Sequence, residues 1–165
     1  MKPLLITLLF ISNAYIAASY AETEQDLFSA AILGKRERIQ NMLTQGMDVN
    51  SKISGDRTAL MAAAHNGNYK TIQLLLTYGA DVNARDTQGI TALMDAVSFG
   101  DEQIVQLLLN AGADISAKDA QNSSVLDRAK KTQHKHLIKL LDPSSTEENA
   151  EDTESAPTEE STPEE

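Results

Sequence analysis

The chain has no cysteine among its 165 residues, which excludes disulfides, thiolate metal ligands, a thiol nucleophile and lipid attachment through sulfur. Histidine is almost as scarce. Of His65, His134 and His136, the last two stand two residues apart on a stretch of helical character and so turn to different sides, whereas a helical ligand pair follows the wider His-Glu-x-x-His spacing. The glycines are dispersed rather than gathered in a phosphate-cradling loop, and no serine sits in a Gly-x-Ser-x-Gly elbow. No catalytic, metal or cofactor constellation is left, and the sequence reads as non-enzymatic.

Positive charge is absent from one end. Residues 142–165 contain ten acids, no base and almost nothing apolar. Such a segment cannot bury enough surface to offset its ordering entropy, which predicts a disordered acidic tail. The whole chain carries 24 acids and 14 bases; without the tail and Lys2, 14 acids face 13 bases, so net acidity belongs to the tail. A near-neutral domain beside a phosphate-repelling tail disfavours nucleic acid as a partner.

A long uninterrupted apolar run is also missing. Residues 1–21 open with the single base Lys2, continue through an apolar stretch at 4–11 and close on small residues at Ser19-Tyr20-Ala21. This is the layout of a secretory signal peptide, with cleavage expected between Ala21 and Glu22. A membrane anchor needs about 20 strongly apolar residues. Ser12, Asn13 and Ser19 interrupt this one, so no membrane attachment is expected after cleavage. An exported chain without cysteine must be stable from packing alone, which suits the periplasm of a Gram-negative bacterium; secretion into the medium is the alternative.

What the sequence does contain is a repeat. Residues 58–83, TALMAAAHNGNYKTIQLLLTYGADVN, return 33 positions later at 91–116 as TALMDAVSFGDEQIVQLLLNAGADIS. Leu27, Leu60, Leu93 and Leu126 fall one period apart, as do Ala30, Ala63, Ala96 and Ala129. Gly34, Gly67 and Gly100 keep the same step, and so do Gly46, Gly79 and Gly112. A fixed period of this length means stacked units, none of which can bury its apolar face alone. Within one unit, Thr58 can cap a short helix through His65, with Gly67 as a left-handed stop. A second helix over 69–77 carries Ile72, Leu75 and Leu76 at helical spacing before Gly79 ends it. The Gly-, Asp- and Asn-bearing segment at 80–90 is turn chemistry leading into the next unit.

These motifs resemble the ankyrin repeat family, whose signature opens with Thr-Pro-Leu-His-x-Ala and closes with Leu-Leu-x-x-Gly-Ala-Asp-Val-Asn. The resemblance spans 24–141 and implies an all-α ankyrin solenoid of about four helix-turn-helix units, at 24–52, 53–84, 85–118 and 119–141. The middle two are regular and the outer two are degenerate caps of a domain at 22–141. Ala59 and Ala92 stand where the family has proline, Met61 and Met94 where it has histidine, and Gln133 where a glycine is expected. The apolar replacements should keep the stack while leaving it less rigid.

The resemblance further implies a monomer that binds a protein partner through a concave surface of turn tips and first helices. By register this surface takes in Ser54, Arg57, His65, Asn66, Thr87, Gln88, Ile90, Ser98 and Phe99. Arg57 and Ile90 share one register, and with Phe99 they would form an apolar patch with one charge at its edge. Phe99 stands where such repeats usually carry a polar residue; it either anchors a partner or folds down toward Thr132, one period later. Tyr69 and Tyr78 are expected to be packing residues. The functions implied are a periplasmic scaffold or adaptor and, as the alternative, a secreted effector acting on a host or competitor protein. From Arg128 to Leu141 the chain holds Arg128, Lys130, Lys131, Lys135 and Lys139 and no acid. This is either a solvated cap or a docking patch for something acidic, the tail itself included, as a weak, salt-sensitive competitor for ligands.

Overall fold

The computed structural model describes residues 22–142. The expected signal segment 1–21, and the acidic tail apart from Asp142, lie outside the described residues. Within them the chain forms eight α-helices and no strand. The helices come in four pairs: α1 (Glu24–Ile32) with α2 (Arg36–Thr44), α3 (Ala59–His65) with α4 (Tyr69–Thr77), α5 (Ala92–Phe99) with α6 (Glu102–Asn110), and α7 (Val125–Lys131) with α8 (Lys135–Leu141). The first helices form one row, α1 on α3, α3 on α5 and α5 on α7, while α2, α4 and α6 stack in a second row beside it.

Local chemistry sets the helix ends. Thr58 Oγ1 accepts the backbone N–H of Met61, and Thr91 Oγ1 that of Met94, both at 3.4 Å. The two end units do more: Thr23 with Asp26, and Ser124 with Asp127, form full capping boxes. An end helix has a neighbour on one side only, so it satisfies more of its own terminus. The helix-stop glycines Gly67 and Gly100 adopt φ of +71° and +93°, and Gln133 takes the same left-handed conformation at +59° in the last unit.

The core runs along the seam between the rows. Leu27, Leu60 and Leu93 are buried, each contributing on the order of 1.5–3 kcal/mol, while Leu126 at the end of the stack is only partly covered. Ala63, Ala96 and Ala129 are fully buried; with only a methyl group each, they let successive first helices approach closely. Met61 and Met94 are fully buried as well, so where the family signature has histidine this chain has pliant apolar filling.

Polar ladders fix the spacing of the pairs. Asn50 Nδ2 donates to the Gly79 carbonyl and Asn50 Oδ1 accepts from the Asp81 N–H at 2.8 Å. Asn83 repeats both bonds one period later, to Gly112 and from Asp114. The turn tips are stitched too: Thr87 N–H donates to the Gly55 carbonyl at 2.9 Å and Ala120 N–H to that of Gln88 at 2.8 Å. No helix among the described residues is long and apolar enough to cross a membrane.

Candidate protein-binding face

The face is built from two turn tips and the two helices behind them. In the first tip a single 3-10 turn, Ser54–Asp56, bends at Gly55 with φ of +79°. In the second, Asp86 Oδ1 accepts the N–H groups of Gln88 and Ile90 at 2.8 and 2.9 Å, which folds the tip around the carboxylate and leaves Thr87 and Gln88 exposed. Ser54 is exposed in the same way, whereas Ile90 is partly buried against the core.

Behind the tips lies a charged network that joins the second and third units. Arg57 Nη1 is 3.3 Å from Asp86 Oδ2, Arg57 Nη2 is 2.9 Å from Asp95 Oδ2 and His65 Nδ1 is 3.4 Å from Asp95 Oδ1. The contact of Arg57 with Asp95 Oδ2 is an ion pair without hydrogen-bond alignment. Burial pushes the Asp95 carboxyl above its ordinary 3.8, and the charges of Arg57 and then His65 offset only part of that. Arg57 thus corrects the expectation of a charge at the rim of an apolar patch. It is a half-buried structural cation engaged with two carboxylates of the next unit, because Asp95 places an acid in the register of Ala62. A lone acid at a core position is the sequence signal for this bracing role.

Phe99 follows neither of the two expected courses alone. It is 50% exposed, and its ring lies on Gly67 of the preceding unit, so close that a Cβ there would stand 2.3 Å from Cζ. The ring turns to the preceding unit, where the bare Gly67 makes room for it. His65 and Asn66, at the end of α3, are exposed. Asn66 Nδ2 donates to the Ala62 carbonyl and the Ser98 hydroxyl to the Met94 carbonyl. Ser98 is partly buried. The presented surface is therefore Ser54, Thr87 and Gln88 at the tips with His65, Asn66 and Phe99 at the helix ends; Arg57, Ile90 and Ser98 support it from behind. Tyr69 and Tyr78 are partly buried against the core, as expected of packing residues. Among the described residues no group of three or more His, Asp and Glu could hold a metal.

Helix pairs stacked at a constant 33-residue period, with polar tips along one edge, define a helical repeat solenoid, a scaffold for contact with other macromolecules. The family model for ankyrin repeats in three copies matches residues 27–119, and the chain belongs to the ankyrin repeat family. The repeats make it a protein–protein interaction module, in a family that is typically non-enzymatic. The match stops short of α7 and α8, so the structure supplies the degenerate fourth unit itself. No curated protein matches the chain.

Proposed function

We propose that the chain is a non-enzymatic adaptor or scaffold that works after export, in the periplasm, and binds a protein partner through the concave face of its second and third repeats. The observation that carries this reading is Phe99, whose ring is backed by Gly67 and left half in solvent beside the exposed His65 and Asn66. Aromatic side chains held in place before binding lose little entropy on association and dominate interface energetics. The polar tips at Ser54, Thr87 and Gln88 extend the surface.

In-cell cross-linking of a tagged chain tests the face. Phe99→Ala with His65→Ala should lower capture of the partner more than about tenfold, the scale of a lost interface anchor, with circular dichroism confirming the fold. Arg57 is unsuited to this experiment, because its removal strands the buried Asp95. Undiminished capture would place the partner elsewhere on the molecule. Export is supported by the layout of residues 1–21 and is tested by intact mass and fractionation. A periplasmic species starting at Glu22 agrees with the proposal, the same species in the medium favours a secreted effector, and an uncleaved cytoplasmic chain refutes both.

A further inference from the structure

We propose that the last repeat is a docking site for an acidic chain segment and that its occupant is this protein's own residues 143–165. Charge is segregated along the stack: residues 119–141 hold five bases against two acids, while 85–118 hold two bases against five acids. Both acids of the last repeat are engaged. Asp119 accepts the N–H groups of Gln121 and Ser123 and pairs with Arg128 Nη2 at 2.6 Å, and Asp127 closes the capping box with Ser124. Lys130, Lys131, Lys135 and Lys139 are exposed, and none of them forms an ion pair among the described residues. Lys130 acts on Asp127 from a distance, and the positive charge of Lys131, Lys135 and Lys139 is left to an external anion.

A cleft collects part of that charge. Lys131 lines it together with Arg128, Gln121, Ser123 and Ser98, and with Asp119 on its floor already neutralised by Arg128. The buried Nε of Arg128 has no acceptor among the described residues. The matching anion begins two residues after α8 ends: residues 143–165 carry nine acids, Glu147, Glu148, Glu151, Asp152 and Glu154 first, and no base. These 23 residues can reach as far as about 75 Å when extended, and tethering raises their local concentration well above that of a free peptide. Ser98 borders both the cleft and Phe99, so a docked tail competes with the partner. That competition rests on the proposed use of the concave face, whereas the docking itself does not.

The absence of native cysteine makes a single thiol, Ser155→Cys, a unique site for a nitroxide in the full mature chain. In nitrogen-15 spectra at low salt the amides of Ser98, Gln121, Lys131 and Lys135 should be broadened, and should recover at about 0.5 M salt, where the Debye length falls to about 4 Å. They should recover equally in a chain carrying Lys131→Glu and Lys135→Glu, exposed positions whose reversal should leave the melting curve in place. Broadening that is absent, insensitive to salt or retained after the lysine reversal overturns the proposal. Broadening transferred from spin-labelled unenriched chains to unlabelled enriched ones makes the occupant a second copy and overturns it too. Partner capture that is undiminished by Phe99→Ala while the broadening persists removes the concave-face reading and leaves the docking standing.

Discussion

Gln133 occupies a backbone position built for glycine. Its φ of +59° matches Gly34, Gly67 and Gly100 at +66°, +71° and +93°, and a side chain in this region costs roughly 1–2 kcal/mol. Gln133→Gly should therefore raise stability by about 1 kcal/mol after the extra chain entropy of glycine is set against it, seen as a higher melting temperature by circular dichroism. This strain was legible beforehand, since register alone shows a glycine missing. The pairing of Asp95 was not, because Arg57 and His65 lie far off in sequence and only the stack brings them together. With its folded-state pKa above 3.8, Asp95 holds its proton more tightly in the folded chain. Its contribution to stability therefore grows as pH falls toward 3.8 and is lost as pH rises through the folded value. Asp26, Asp114, Asp119 and Asp127, all lowered, act in the opposite sense. In urea unfolding across this range Asp95→Asn should remove the opposing contribution, so that stability falls more steeply on acidification than in the wild type. Near neutral pH it should change stability by no more than about 1 kcal/mol, since Arg57 keeps its contact with Asp86 and His65 is exposed, so neither cation is left buried without a partner. A shallower acid slope in the variant would contradict this.

Between helix pairs, three joints share one apolar register and differ in their polar partners. At the first, Asn68 sits over Gly34 and its Nδ2 donates to the carbonyls of Ala31 and Ile32 at 2.8 and 2.7 Å. At the third, the His134 ring lies over Gly100 and His136 Nε2 is 3.2 Å from the Gly100 carbonyl. At the middle joint the corresponding residue is Asp101, whose carboxylate caps its own helix at Gln103 and Ile104, and Phe99 covers Gly67 instead. Asn68→Ala should cost about 1–2 kcal/mol for the lost pair of bonds, and hydrogen exchange should show α1 losing protection first. Gly67→Ala should destabilise by more than about 1 kcal/mol from the backbone alone, and by pushing Phe99 aside it should weaken partner capture as well. The helices themselves were readable: α3 and α4 have the bounds that the threonine cap and glycine stops imply, because those signals are local. The first unit, expected from residue 24, does begin its helix at Glu24, where Thr23 and Asp26 close the capping box. The joints were unreadable, since each depends on which side chain of the next unit falls over a glycine.

Over the whole molecule, near balance between 14 acids and 13 bases conceals a third repeat that is acidic and a fourth that is basic. Composition alone shows the balance; only the assignment of residues to stacked units shows the segregation. The repeat period likewise disclosed the architecture and the edge that carries the tips, but could not separate residues that face solvent from those, like Arg57, that brace the edge from behind.

The joints also carry information that the leucines do not. Any unit's apolar face would accept any other, because Leu60 and Leu93, or Ala63 and Ala96, are interchangeable. Exchange the second and third units, however, and the Asp101 carboxylate would turn toward the carbonyls that Asn68 now satisfies, while Arg57 would meet Arg128 in the place of Asp95. The order of the repeats is thus written in a few unshared polar side chains, which would penalise a stack assembled out of sequence or exchanged between two chains even though its hydrophobic seam closed perfectly well.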